Sequence, residues 1–180
     1  MIYEVCISGS KLMHTVILPK IRERIDYIFL RRTSGGAHIW LLLDEQGYQQ
    51  FKTVFPEIKR EYEEYERKHN RRATVSYTVE QVPKDIDAFF KKLREYIDLD
   101  YRINGNVIEV AVEPHRVGQF IGRGGRKIKA MQKLLGKRIR VVQGVKAEGI
   151  GKPYFTGYRD PKHGYFITWG YVAPWKFDSS

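Results

Sequence analysis

The sequence predicts an α+β protein. Short runs rich in β-branched and aromatic residues alternate with segments whose apolar residues recur at helical spacing. Two composition changes divide the chain: Pro83 breaks a strand-like run, and from Gly144 onward glycine and aromatic residues dominate. The expected organisation is an N-terminal α/β unit of unknown type over 1–83, a second unit over 84–143, and an aromatic-rich β tail over 144–180.

In the first unit, residues 2–8, 26–32 and 38–43 read as strands, and Thr33-Ser34-Gly35-Gly36 is a turn-forming cluster that makes a hairpin of the last two. Residues 11–24 are ambiguous because Pro19 interrupts them. Asp44 can cap a helix that begins near Gln46. Pro56 is expected to start or kink a second helical stretch, with Ile58, Tyr62 and Tyr65 on one face and a solvated acidic cluster, Glu63, Glu64 and Glu66, elsewhere. Residues 73–82 alternate as a strand.

In the second unit, Ile86, Phe89, Phe90, Leu93 and Ile97 mark a helix over 84–98. Residues 101–103 are extended, and Asn104-Gly105 is a hairpin signal. In the strand VIEVAV, residues 107–112, Val107, Glu109 and Ala111 face away from Ile108, Val110 and Val112. A short helix, a glycine loop, a longer helix and a strand over 138–142 follow. The tail's aromatic residues have too few aliphatic partners to form a core of their own. Their expected fate is a β-hairpin turning at 160–164 and packed on the N-terminal sheet; the other reading is a platform for stacking bases.

Composition narrows the function. Cys6 is the only cysteine, which excludes an internal disulfide framework and paired-cysteine metal sites. It sits in an apolar strand, where a buried, inert thiol is the ordinary case. His14, His38, His69 and His163 lack metal-ligand spacing. No apolar run reaches membrane-spanning length and no secretory signal is visible, so a cytoplasmic protein is expected, with no membrane partner, no cofactor, no metal and no catalytic residues.

The net charge is +11, and its distribution says more than its size. From Pro114 to Ala147 there is no acidic residue, while Arg116, Arg123, Arg126, Lys127, Lys129, Lys133, Lys137, Arg138, Arg140 and Lys146 supply ten positive charges. Such a segment suits a polyanion.

Within it, Gly122-Arg123-Gly124-Gly125 forms a Gly-x-x-Gly loop between two helical stretches. Val117, Phe120 and Ile121 share a face before it, and Ile128, Met131 and Leu135 share one after it, so both helices can pack on one sheet. Gly136 stands where a helix end wants a left-handed residue. A loop of this kind lets a nucleic-acid backbone come close, aims free N–H groups of the following helix at phosphates, and adds mobile charge from Arg123, Arg126 and Lys127. A dinucleotide fingerprint fails because Lys127 stands where its third glycine is needed, and a P-loop fails because Arg138 follows Gly136-Lys137.

Strand, helix, Ile-Gly-Arg-Gly-Gly, helix, strand over 106–142 resembles the core motif of the KH (K homology) family, closest in flavour to the KH repeats of NusA-like prokaryotic proteins. Those repeats come in pairs, whereas this chain has one Gly-x-x-Gly. An amphipathic helix and a strand precede the motif and no amphipathic helix follows it, so the resemblance implies the type II topology, α-β-β-α-α-β. It implies non-catalytic binding of single-stranded RNA, with single-stranded DNA possible, in a setting such as transcription or RNA processing. The residues it assigns are Arg116, Gly122, Arg123, Gly124, Gly125, Arg126, Lys127, Lys129, Arg138 and Arg140. His115, just before the short helix, reads as a cap or surface residue. Two rival readings are an RNA-processing or RNA-modifying enzyme with its chemistry in 1–83, and a protein-interaction or ribosome-associated assembly module.

Overall fold

The computed structural model describes residues 1–10, 13–26, 28–34, 37–146 and 171–176, and the chain divides into units at Pro83. The protein mixes helices and strands throughout, as an α+β chain does.

The first unit runs β1 (Ile2–Ser8), α1 (Met13–Arg24), β2 (Ile28–Thr33), β3 (His38–Asp44), α2 (Glu45–Lys68), β4 (Ser76–Gln81). Its strands form an antiparallel sheet in the order β2-β3-β1-β4, the split βαβ arrangement of ferredoxin-like folds. Val5, Ile7, Ile39, Leu41 and Leu43 point to one face of this sheet, and both helices close over that face. Met13, Ile17 and Ile21 from α1 meet Phe51, Phe55, Ile58 and Tyr62 from α2 there.

The ambiguous segment is therefore a helix, and α2 is one helix through Pro56 rather than two. Pro19 and Pro56 are both exposed, so the backbone groups each displaces lie on the water side, where solvent satisfies them. Burial of the opposite face outweighs the lost hydrogen bond. Asp44 caps α2 as expected, accepting from the Gly47 N–H at 2.8 Å. Farther along, the row continues from Ile58 and Tyr62 to Glu66, not to Tyr65, which is exposed. Glu66 is fully buried and pairs with Arg71 Nε at 2.6 Å, so the acidic cluster is not wholly solvated. Cys6 is half-buried on the sheet face away from the helices, its Sγ 3.8 Å from His38 Nδ1, and not a core thiol.

The second unit runs α3 (Ile86–Leu93), β5 (Leu99–Asn104), β6 (Val107–Val112), α4 (Val117–Ile121), α5 (Arg126–Leu135), β7 (Arg138–Gln143), giving the order α-β-β-α-α-β. Single 3-10 turns lie before α4 and between α4 and α5. The sheet order is β5-β6-β7, with β5 antiparallel and β7 parallel to β6. Asp85 caps α3 by accepting from the Ala88 N–H at 3.0 Å. The hairpin loop is Gly105-Asn106, one residue beyond the expected pair, because Asn104 still pairs with Val107. Gly105 takes the positive φ of +65° that the first turn position requires. Gly136 ends α5 in the left-handed region at φ +66°, as expected.

The register defines two sheet faces. Tyr101, Val110 and Val141 share one, and Phe90 of α3 stacks on Tyr101 at 4.4 Å. Arg102, Glu109 and Arg140 share the other, with Ala111 and Val142 on the next rung but one residue-pair along. That second face is not simply exposed. Glu109 and Ala111 are buried, Glu109 beside Arg102 and Ala111 against Ala173.

Two short strands, β8 (Val145–Lys146) and β9 (Tyr171–Val172), pair antiparallel, and the described end of the tail is thus held within the second unit. The expected hairpin at 160–164 and most of the aromatic tail lie outside the described residues.

Candidate nucleic-acid interface

The glycine loop is built by backbone geometry that side chains resist. Gly122 follows α4 at φ +81°, and a Cβ there would stand 2.6 Å from Lys127 Cγ and 3.0 Å from the Lys127 backbone nitrogen. Only glycine fits. Gly124 and Gly125 also have positive φ, +64° and +74°, but open space surrounds the first and only the distant Lys129 Cε, at 3.9 Å, is near the second. The Gly125 N–H donates to the Gly122 carbonyl at 3.0 Å and closes the turn.

Gly125 is the residue before α5, and no side chain caps that helix. Its first turn holds no acidic residue either. The orphan N–H groups and the positive end of the helix dipole are therefore left for an external anion. Arg123 is exposed at the tip, and Lys129 is exposed one turn into α5. Around them Val117, Ile121, Ile128 and Leu135 are only half-buried, while Phe120 and Met131 anchor the two helices in the core.

Lys127 has a different task from its neighbours. Its Nζ donates to the Gln119 carbonyl at 2.8 Å, tying the start of α5 back to α4 across the loop. Burial, and then the nearby Arg126 guanidinium, pull its pKa down to about 8. Lys127 thus holds the loop's shape. Gln119, which supplies that carbonyl, carries no sequence signal, since any residue could.

Arg116 is half-buried, 3.8 Å from Glu113, and His115 Nε2 meets the same carboxylate at 3.0 Å. His115 is a surface residue and makes no cap. Asp98 faces this group, and its pKa is pushed up to about 6 by burial and then by Glu113, with Arg116 opposing.

The ten assigned residues do not form one cluster. Arg116 and the run from Gly122 to Lys129 belong to the helices and their loop. Arg138 and Arg140 alternate with Ile139 and Val141 along β7, and both are exposed on the sheet face opposite the one that α3 covers. Arg102, which shares a rung with Glu109 and Arg140, carried no sequence signal; the ring of Trp175, one of the tail aromatics expected to pack or to stack bases, lies 4.8 Å from its guanidinium.

Elsewhere, among the described residues, no group of three or more His, Cys, Asp or Glu side chains is placed to hold a metal. No helix among them is long and apolar enough to cross a membrane.

A three-stranded mixed sheet, a capless helix behind a glycine loop and an acid-free basic segment are features that suit a nucleic-acid-binding module. Residues 83–149 match the family model of the KH domain, so the chain carries a KH domain and with it a nucleic-acid-binding, typically RNA-binding, unit. No curated protein and no solved structure matches the chain.

Proposed function

We propose that this protein binds single-stranded RNA, without catalysis, through a KH unit of the type II arrangement, with the loop Gly122–Gly125 against the phosphates. The observation that carries the proposal is the uncapped, acid-free start of α5 directly behind three positive-φ glycines and the exposed Arg123. The half-buried Val117, Ile121 and Ile128 offer bases an apolar surface beside the loop, where their edges stay readable. Arg116, Arg126 and Lys129 add charge to the same layer. Single-stranded DNA is the expected weaker competitor, and transcription or RNA processing is the setting such a module serves.

The test is binding of a single-stranded RNA by the variant Arg123→Asp with Gly124→Asp. Two carboxylates at the tip would oppose both the phosphates and the helix dipole. Gly124 is open on all sides, but its φ of +64° makes aspartate somewhat strained there. Arg123→Glu alone, which leaves every glycine in place, therefore accompanies it. Affinity is expected to fall at least about 100-fold in the double variant and about 10-fold in the single one, with unchanged circular dichroism. Full affinity in both would locate the RNA site away from this loop.

A further inference from the structure

We propose that the sheet face bearing Arg138 and Arg140 is a second, separate contact surface for the RNA backbone, engaged by strands longer than the glycine loop alone can hold; this rests on the RNA-binding reading above.

Arg138, Arg140 and Val142 point to the side of the sheet away from Tyr101, Val110 and α3. They therefore present their charge on the side away from the buried Ile139, to other nucleotides than those at the loop. On that side stand two carboxylates: Asp100, which Arg94 meets at 3.0 Å, and Glu109, which faces two arginines. Arg102 claims it, with Nη2 at 3.0 Å and Nε at 3.1 Å. Arg140 sits opposite in register and still lends Glu109 favourable charge, but it is exposed and makes no ion pair among the described residues. Arg138 lies two residues back on the same face, also exposed and also in no such pair. Two residues along a strand are about 6.6 Å apart, so two cations stand in line along the sheet's edge strand.

The far end of this face is closed. Ala173 packs on Ala111 with Val142 and Trp175 around it, and the Trp175 ring caps the Arg102 guanidinium. The open end is thus polar. Beside Arg138 stand the exposed Asn104 and the half-buried Val107, and among the described residues no large apolar side chain there seeds a protein interface. A partner held there must be held by charge. A polyanion that already reaches the other side of the same unit satisfies this with no second partner, and gains from being tethered.

The experiment uses the full chain and two uridine-rich RNAs of about 5 and about 20 nucleotides, the shorter just filling one KH site. The variant is Arg138→Gln with Arg140→Gln, neutral so as not to set a new acid beside Glu109. The 20-mer is expected to bind roughly 10-fold more weakly to the variant, and its salt slope to flatten by about 1.4, which is two phosphates at ~0.7 each. Affinity for the 5-mer is expected to stay the same. Unchanged 20-mer binding, or an equal loss for both RNAs, overturns a separate surface. Should the wild type fail to bind the 5-mer while the 20-mer effect persists, the glycine-loop reading falls and this surface stands. A melting curve guards against misfolding. If the variant unfolds, photocrosslinking of a thiouridine-containing 20-mer to the wild type decides, and adducts confined to the loop helices count against the proposal.

Discussion

The two units surround their positive charge differently. In the first, acidic residues are interspersed with basic ones and four cations meet a carboxylate: Lys20 and Arg24 share Glu61 at 2.8 and 3.0 Å, Lys59 meets Glu63 at 2.9 Å, and Arg71 meets Glu66 at 2.6 Å. In the second, Arg94 and Arg102 are matched too, to Asp100 and Glu109. Past Arg116, as far as Ala147, the chain offers no acid of its own. Arg123, Lys129, Lys133, Arg138 and Arg140 are exposed and in no ion pair among the described residues. Exposed pairs contribute little stability, so omitting acids from this stretch costs the fold little. What it preserves is an unscreened field for a polyanion.

That contrast is most open to attack through salt. If about three or four phosphates are neutralised by the unmatched residues, log affinity against log salt should slope between about −2 and −3 for a single strand. Raising salt from about 50 to about 200 mM then weakens RNA binding roughly 20- to 50-fold, measured by fluorescence anisotropy. A flat dependence would mean that the unmatched charge is idle surface and the contrast between the units carries no function.

Much of the second unit was legible because its signals are local. Phe120 and Met131 are buried as their spacing requires, and Gly136 is left-handed as a helix end requires. The loop glycines announce a turn for the same reason, although only Gly122 is sterically irreplaceable. What the sequence hid depends on partners distant along the chain. Glu109 and Ala111 alternate like solvent-facing residues, yet Arg102 and Ala173 bury them. Pro56 signals a break that the buried row from Phe51 to Glu66 overrides. Arg138 and Arg140 stand on a strand and not on the helices that hold the loop. Their alternation with Ile139 and Val141 was visible, but it separates the faces only once β7 is known to lie parallel to β6.

The matched side of the comparison can be broken at Arg71. Glu66 is fully buried, and its carboxylate holds the Arg71 guanidinium's pKa above the usual arginine value. Arg71→Ala leaves that carboxylate in the interior with its cation gone, the costly way to break a buried pair. A fall in Tm of roughly 5 °C or more is expected by calorimetry, with RNA affinity unaltered. If affinity falls as well, the matched pairs of the first unit serve binding, and the division between stabilising and ligand-directed charge does not hold.

The smallest effect concerns the boundary of the acid-free segment, where Asp98 lies near Glu113 and Arg116. Its pKa of about 6 stands above the ordinary 3.8, with burial the first cause and Glu113 the second. Between pH 3.8 and 6 the folded protein therefore holds more protons at this position than the unfolded chain does. Stability must fall as pH rises through that window, and the cost persists in full above it. Asp98→Asn removes the ionised form, so the variant should melt a few °C above wild type at pH 7 and level with it below about pH 4, a modest gain because the group is only partly buried. Arg116 simultaneously loses an opposing negative charge, so RNA affinity should rise slightly, less than about 2-fold at moderate salt. A variant that melts lower than wild type at pH 7 would show instead that the carboxylate is held by contacts outweighing its desolvation. The edge of the basic segment would then be a stabilising pair like those of the first unit, and the contrast would begin later in the chain.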